Sequence, residues 1–274
     1  MRLFGLPSLV LLVAAVSGTL AHAADMAVKA PPVPPAPVFT WSGFYLGLNA
    51  GGDSGRFTQS QTFSAPGCHG PACPALIQFL SALHPTESVG LTGGVEAGFN
   101  LQLNNLLLGV EADYGSFVLR QSFAFGPNTV APPDPSAASG SGSISTSWLL
   151  TVRPRIGVTF DRSLFYLTGG FAETNARFSE SITVTGNLFR NAITGQYFAS
   201  ASARSGRVIG GGIERVAWGN WTTKIEYLHV DFGSQHATAA VFGAPAGGGL
   251  TGSSLSVSSH LSADIVRIGL NYKL

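Results

Sequence analysis

The sequence predicts an all-β fold, an eight-stranded antiparallel transmembrane β-barrel with four long external loops and short periplasmic turns. The first observation is the C-terminal segment Asp264–Leu274, in which apolar and polar residues alternate. A period of two places Val266 and Ile268 on one face of a strand, and Arg267 and Lys273 on the other. Alternation of this kind over about ten residues, apolar outside and polar inside, is the repeating unit of an outer-membrane barrel.

Composition is the second observation. Charged residues make up 11% of the 274 residues, and 35 are glycine, whereas soluble domains carry about 25% charge. Beyond the extreme N-terminus there is no apolar run of about 18 residues, which excludes transmembrane helices. The net charge of +1 gives no electrostatic case for nucleic acid as a partner.

The third observation is that the same alternation recurs seven times before the C-terminal strand. The predicted strands are about Gly43–Gly52, Val89–Leu101, Leu106–Phe117, Ile144–Phe160, Leu164–Asn175, Ser205–Val216 and Trp221–Phe232. Short connections at 102–105, 161–163 and 217–220 alternate with long ones at 53–88, 118–143, 176–204 and 233–262. This is typical of periplasmic turns and external loops, and an even strand count places both termini in the periplasm. Pro154 predicts a bulge or a lost hydrogen bond in the fourth strand, because proline cannot donate to the ladder.

The N-terminus has the parts of a secretory signal. Residues 1–23 combine Arg2, a short apolar stretch at Leu9–Val16 and the small-x-small sequence Ala21–Ala23, so cleavage is expected before Ala24. Residues 24–40 contain five of the prolines and predict an extended periplasmic linker; a tether to a cell-wall partner is the alternative reading. Residues 41–274 form the predicted barrel domain, and the predicted location is the outer membrane.

Alternation assigns ten charged side chains to the barrel interior. They are Glu96, Glu111, Asp113, Glu214 and Glu226, with Arg153, Arg155, Lys224, Arg267 and Lys273. An eight-stranded barrel is only just wide enough for side chains to fill it. Because an unpaired buried charge is costly, these groups must pair or hold water. The sequence therefore predicts a cross-linked lumen charge network that plugs the barrel. A soluble lipocalin-like barrel would place the apolar face inside instead.

Four stretches carry a family resemblance: W-S-G-F-Y-L-G-L-N-A-G-G (41–52), L-T-G-G-F-A (167–172), K-I-E-Y-L-H-V-D-F-G (224–233) and V-R-I-G-L-N-Y-K-L (266–274). From about Val38 to Leu274 the chain resembles the small alphaproteobacterial outer-membrane β-barrels. These are often labelled porin-family or outer-membrane immunogenic proteins, and they are related to OmpA/OmpX-like barrels. The resemblance implies envelope integrity and host-surface exposure, and it implies no catalytic activity.

The partners expected for such a barrel are outer-membrane lipids and lipopolysaccharide, the barrel-assembly machinery through the C-terminal strand, and possible host-surface or cell-wall contacts. Members of the family usually end in an aromatic residue that serves as an insertion signal. This chain ends in Leu274, with Tyr272 two residues earlier.

Two groups of residues suggest chemistry outside the lumen. Cys68 and Cys73 lie in an exported segment and predict a disulfide, worth about 2–3 kcal/mol in the chain-entropy model; a metal site with His69 lacks a fourth ligand. The group His229, Asp231, Ser234 and His236 could suggest a hydrolase or acyltransferase at the outer leaflet, but no nucleophile motif accompanies it. No catalytic, cofactor-binding or metal residues are predicted.

The predicted function is a structural outer-membrane barrel that is not an enzyme and that presents surface loops for antigen or adhesion-type contacts. A small diffusion porin is the first alternative, and an outer-leaflet lipid-modifying enzyme is the second.

Overall fold

A computed structural model describes residues 39–64, 66, 83–130, 136–186, 193–240 and 253–274. The predicted signal peptide, nearly all of the predicted linker, and Cys68 and Cys73 lie outside the described residues. The strands are β1 (Gly43–Ser64), β2 (Leu83–Leu103), β3 (Leu106–Phe117), β4 (Arg120–Val130), β5 (Ser136–Ser145), β6 (Trp148–Phe160), β7 (Ser163–Gly186), β8 (Ile193–Trp218), β9 (Trp221–Ala240) and β10 (Ser254–Lys273). No helix among these residues is long and apolar enough to cross a membrane.

Eight of the strands close into a ring. Their order is β1, β2, β3, β6, β7, β8, β9 and β10, with β10 paired back to β1, and all of these pairs are antiparallel. Residue pairing followed once round the ring from Arg56 returns to β1 at Leu46, ten positions earlier. This stagger tilts the strands and leaves an interior that side chains can fill. The predicted eight-stranded ring is confirmed.

Three two-residue turns join ring strands at one end of the barrel, here called the turn end. They lie between Leu103 and Leu106, between Phe160 and Ser163, and between Trp218 and Trp221. Each turn opens with a residue in the left-handed region, namely Asn104 (φ 55°), Asp161 (φ 53°) and Gly219 (φ 51°). Asn, Asp and Gly adopt this conformation most readily, which suits tight hairpins. The three turns fall where the sequence predicts them.

β4 and β5 are additional strands within a segment that the sequence assigns to a loop. They continue β3 and β6 past short breaks, where the Thr146 N–H donates to the Leu119 carbonyl (3.0 Å) and the Leu119 N–H donates to Thr146 Oγ1 (2.9 Å). β5 pairs with β4 and with the far half of β7, which leaves β4 at an edge. A bulge at Gly126 (φ 88°) and the adjacent Pro127 interrupt that edge, a common protection against edge-to-edge aggregation.

The prediction of four long external loops is corrected, because ring strands run well into three of the four predicted loop segments, and β4 and β5 lie in the fourth. β1 continues to Ser64 and β7 to Gly186, while β8 begins at Ile193 and β10 at Ser254. The reason is that the apolar residues change from the outer face of the strand to the inner face part of the way along it. On β10, Val266 and Ile268 face outward, whereas beyond Ile265 the buried residues Leu261 and Val257 face inward. A prediction that requires apolar residues on the outer face therefore ends the strand too early.

The outer surface near the turn end is a belt of exposed apolar side chains. Aromatic residues border it, with the ring pairs Phe44–Phe99 (4.8 Å) and Trp221–Tyr272 (4.9 Å) towards the turn end and Tyr114–Trp148 (6.0 Å) on the other side. Aromatic girdles flanking an apolar band mark the bilayer interfaces of membrane barrels. The belt thus defines the part of the barrel that lies in lipid.

Beyond the belt the polarity of the two faces is exchanged, since an apolar core fills the interior and hydroxyl-bearing side chains such as Ser256 and Thr62 face outward. The buried residues of this core are Phe57, Phe63, Phe117, Leu119, Ile144, Leu149, Ala172, Ala176, Phe178, Val208, Leu228, Val230, Phe232, Leu255, Val257, Leu261, Ala263 and Ile265. An apolar interior and a polar exterior are what a barrel in water requires. This part of the barrel extends past the lipid.

Pro154 produces a local loss of pairing and no bulge. The β6–β7 ladder passes from Val152–Phe171 to Arg155–Thr168 without a change of register. The Pro154 carbonyl accepts a hydrogen bond from Thr168 Oγ1 (3.0 Å), which offsets part of the loss caused by the missing N–H.

The belt predicts that charge on its surface is costly. Ile268 is 63% exposed in the middle of the outer face of β10, so Ile268→Arg should lower the free energy of unfolding by roughly 2–4 kcal/mol, measured by urea titration in liposomes. Ser256→Arg lies on the same face of β10 beyond the belt and is the matched control, with little expected effect. Equal stability of Ile268→Arg and the control would show that this face does not contact lipid.

Candidate functional site: a charge cluster in the barrel interior

Nine of the ten predicted lumen charges meet inside the lipid-embedded half of the barrel. Each is at most 5% exposed, and together they form what is called here the charge cluster. Its members are Glu96, Glu111, Asp113, Arg153, Arg155, Glu214, Lys224, Glu226 and Arg267. They come from β2, β3, β6, β8, β9 and β10, which are the strands on which period-two alternation places them inward.

Glu111 is the centre of the cluster. Its carboxylate lies 2.6 Å from Arg153 Nη2, 3.0 Å from Lys224 Nζ and 3.3 Å from Arg155 Nη1. A fourth cation, Arg267, is 3.9 Å away, and Tyr45 donates its hydroxyl to Glu111 Oε2 (2.6 Å). One carboxylate therefore connects cations from three strands, as a buried acid requires if it is to remain charged.

Asp113 and Glu226 close a second loop of ion pairs. Arg267 lies 3.0 Å from Asp113 Oδ1 and 2.7 Å from Glu226 Oε2. Arg153 bridges the same two acids at 2.9 Å and 3.3 Å. Two arginines and two carboxylates thus alternate across the barrel, and the pairing links β3, β6, β9 and β10.

Neutral side chains add hydrogen bonds at the edges of the cluster. Glu96 pairs with Lys224 Nζ (2.7 Å) and accepts from Asn49 Nδ2 (2.8 Å). Glu214 pairs with Arg155 Nη1 (3.2 Å) and accepts from Asn271 Nδ2 (3.1 Å).

Two tyrosines enclose the Arg155 guanidinium, which lies 4.8 Å from the Tyr45 ring centroid and 5.2 Å from that of Tyr166. The Tyr166 hydroxyl also donates to Glu226 Oε1 (2.9 Å). With Asn49, Tyr45 and Tyr166, the strands β1 and β7 contribute as well, so every ring strand reaches the cluster. The tyrosine and asparagine partners were not among the predicted site residues, although alternation already turned Tyr45 and Tyr166 inward.

Inward-facing glycines make room for these long side chains. A Cβ atom at Gly98 would lie 2.2 Å from the Tyr45 hydroxyl oxygen, and one at Gly269 would lie 2.9 Å from carbon atoms of Lys224. The tyrosine and the lysine therefore occupy space that only glycine leaves open.

Lys273, the tenth predicted lumen charge, lies apart from the cluster. It is partly exposed at the turn end, and its Nζ lies 5.4 Å from the Phe39 ring centroid. Its position next to the last residue of the chain explains the difference: alternation gives the side of the strand but not the height in the barrel.

Apolar layers lie on both sides of the charge cluster. Trp41, Leu107, Leu164 and Val216 are buried at the turn end. On the other side lies the apolar core described above. Water has to cross all three layers to pass through the described interior, and the low dielectric on both sides strengthens the ion pairs between them.

Isolated polar groups lie within the apolar core beyond the belt. Glu180 accepts hydrogen bonds from Gln59 Nε2 (2.6 Å) and from Gln61 Nε2, and Arg204 donates to Ser259 Oγ (2.6 Å). Asp53 is 2% exposed, and neither of its carboxylate oxygens has a hydrogen-bond partner. Glu180, Arg204 and Asp53 fall in segments that the sequence assigns to loops, so they were not predicted as interior residues.

The histidines considered for lipid hydrolysis lie on the outward-facing surface of the barrel beyond the belt, which is called here the rim. His229 Nδ1 is 2.7 Å from Asp264 Oδ1, whereas Ser234 Oγ is 3.5 Å from His260 Nδ1, whose Nε2 is 3.5 Å from Asp231. His229 and Ser234 therefore have different partners, and the contacts of Ser234 are long and exposed. Among the described residues, no group of three or more His, Cys, Asp or Glu side chains is arranged to hold a metal ion.

A closed ring of eight antiparallel strands with an aromatic-bordered apolar belt defines a transmembrane β-barrel of the outer-membrane type. The chain belongs to the family described as outer membrane protein beta-barrel domain, whose model matches residues 9–273. It is 31% identical over 266 residues to the 31 kDa outer-membrane immunogenic protein of Brucella melitensis, covering 95% of this chain and 96% of that protein. The protein is therefore an outer-membrane protein of this family.

Solved barrels also align with the chain. Neisserial surface protein A is 13% identical, with a TM-score of 0.33 and coverage of 85% of this chain and 98% of that one. The outer membrane protease OmpT from Escherichia coli is 10% identical, with a TM-score of 0.42 and coverage of 88% and 99%.

Glu180 predicts a pH dependence of stability. It lies on β7 nine residues beyond Phe171, outside the belt, and burial raises its pKa to about 7, from about 4.3 in an unfolded chain. Its contribution to stability is therefore present below about pH 4.3 and is lost as the pH rises through 7. Glu180→Gln should flatten the pH profile of thermal unfolding and stabilise the barrel most at about pH 8.

The exposed Glu87→Gln variant is the matched control for this measurement and should keep the wild-type profile. A Glu180→Gln profile parallel to wild type would contradict the assignment of this titration to Glu180.

Proposed function

We propose that the protein is a structural barrel of the outer membrane, with an interior closed to solutes and with the strand ends opposite the turns facing the cell exterior. The observation that carries the proposal is the burial of nine mutually paired charges between two apolar layers. Such an interior stiffens the barrel and leaves no continuous aqueous path through the described residues. The role is that of an envelope component whose external segments act as antigens or in adhesion.

The relative from Brucella melitensis is named an immunogenic protein, which supports exposure of the external segments on the cell surface. We further propose that the protein is not an enzyme. This rests on the separation of His229 from Ser234 and on the long, exposed contacts of Ser234. Turnover of phospholipid or lipopolysaccharide by the purified protein, abolished by Ser234→Ala, would overturn this part of the proposal.

A small diffusion porin is the second candidate. The family resemblance favours it, since some members carry a porin label. A porin of this kind would show stable single-channel currents in planar bilayers without any mutation.

Removing one charge from the cluster should both increase ion leak through the barrel and lower its thermal stability. Arg153 is fully buried and pairs with Glu111, Asp113 and Glu226. Loss of one partner from a buried ion pair typically costs about 3–5 kcal/mol. The wild-type barrel should be heat-modifiable, running on gels as a compact folded band that shifts on heating, and should show at most small, rare openings in bilayers. Arg153→Ala should lower the temperature of that band shift and should increase ion leak.

Lys273→Met is the matched control for Arg153→Ala, because Lys273 faces the interior without joining the cluster. It should leave both measurements near wild type. Large, stable wild-type channels that pass sugars would overturn the closed-lumen proposal in favour of the porin.

The orientation can be tested with the only two cysteines of the chain, Cys68 and Cys73, which lie between β1 and β2. A membrane-impermeant maleimide should label them on intact cells after reduction and much less before it, as expected for a disulfide at the cell surface. The control is Asn105→Cys in the two-residue β2–β3 turn, in a background lacking both native cysteines, which should be labelled only after the cells are broken. The opposite labelling pattern would reverse the proposed orientation.

A further inference from the structure

The outward-facing charged side chains beyond the belt on the β1, β2, β9 and β10 side lie beside partners. Arg56 Nη2 lies 3.1 Å from Glu87 Oε1. His229 and His260 lie beside Asp264 and Asp231, at 2.7 Å and 3.5 Å. On this side of the barrel the exposed arginine beyond the belt, Arg56, is therefore already paired with an acid.

The opposite side carries two arginines without acidic partners. Arg120 on β4 and Arg177 on β7 are exposed and face outward, and both pair in register with Ser145 on the intervening β5. Their Cα atoms are thus two strand spacings apart, about 10 Å, close enough for two long side chains to converge on one group. Within the described part of the chain neither arginine makes an ion pair or a hydrogen bond. Arg120, Ser145 and Arg177 are called here the arginine patch.

The surroundings of the patch join polar hydrogen-bonding groups to the lipid-facing surface. Next to the patch, Ser143 Oγ and Ser179 Oγ are 3.0 Å apart and lie on the same outward face. On the side towards the belt, Asn175 Nδ2 donates to Ser147 Oγ (2.6 Å). Val118, which is 39% exposed, precedes Arg120 by two residues on the same face. The patch thus lies just beyond the apolar surface, at the level where lipid headgroups meet the barrel.

We propose that the arginine patch binds a phosphate group of a phosphorylated glycolipid in the outer leaflet, whose acyl chains lie against the belt below it. Guanidinium groups match phosphate oxygens in charge and in bidentate geometry. The two arginines make no ion pair within the described residues, and they lie beside serine hydroxyls at the border of the apolar surface, where lipid headgroups are located. The inference rests on the proposed function only in requiring that this end of the barrel faces outward, which the cysteine labelling tests separately.

The test uses the full mature chain, refolded in an uncharged detergent, and a fluorescent lipid A that carries both phosphates. The double variant Arg120→Gln/Arg177→Gln should bind this lipid about tenfold or more weakly than wild type, since it loses two charge-assisted contacts. Added salt should weaken binding to wild type and affect the double variant much less. Arg56→Gln removes a rim arginine already paired with Glu87 and should bind within about twofold of wild type, because exposed ion pairs contribute little.

Two further measurements distinguish binding of a lipid phosphate from binding of the acyl chains alone and from binding of free phosphate. Lipid A stripped of its phosphates should bind wild type as weakly as the intact lipid binds the double variant, and inorganic phosphate at equal concentration should not displace the intact lipid. Equal binding by wild type and the double variant, or by phosphorylated and stripped lipid, would overturn the proposal, as would displacement by inorganic phosphate. Unchanged heat modifiability and conductance of the double variant would show that a loss of binding is not a loss of the barrel.

Discussion

The structure depends on one constraint: the same eight strands must pass from hydrocarbon into water without breaking their ring of backbone hydrogen bonds. In hydrocarbon, every backbone polar group has to be paired within the protein and the outer face has to be apolar. In water the outer face can be polar and the interior has to be apolar. The strands satisfy both demands because their apolar residues lie on the outer face in lipid and on the inner face in water. On β10 this change falls between Ile265, which is buried inside, and Val266, which is exposed outside.

The exchange of faces explains where the charges lie. Inside the lipid-embedded half, the interior is the only place for polar side chains, and the ring is narrow enough that they must pair with one another. Beyond the belt the same interior positions carry residues such as Phe57, Phe117 and Phe232. The charge cluster is therefore held between apolar layers, which lower the local dielectric and raise the cost of separating any pair.

The sequence could predict the parts of the fold that lipid dictates. Each ring strand has an apolar-out stretch within the belt, and alternation alone placed Glu111, Arg153 and Arg267 inward. It could not predict β4 and β5, because small residues such as Ser141 and Gly142 alternate with little difference in hydropathy. It also could not locate Glu180 in the interior. Beyond the belt the apolar residues face inward and the polar residues face outward, so a search for strands with an apolar outer face assigns this segment to a polar loop.

The arrangement around Glu111 indicates why position along the barrel matters as much as the face of the strand. The cluster contains five acids and four bases, and Glu111 alone contacts cations from β6, β9 and β10. Those cations are also shared with Asp113, Glu226, Glu96 and Glu214, so the loss of one leaves several acids undercompensated at once. Lys273, on the same inner face but at the mouth, can be solvated instead. Alternation thus determines which side chains enter the barrel, while their height decides whether they are bound into the network or hydrated outside it.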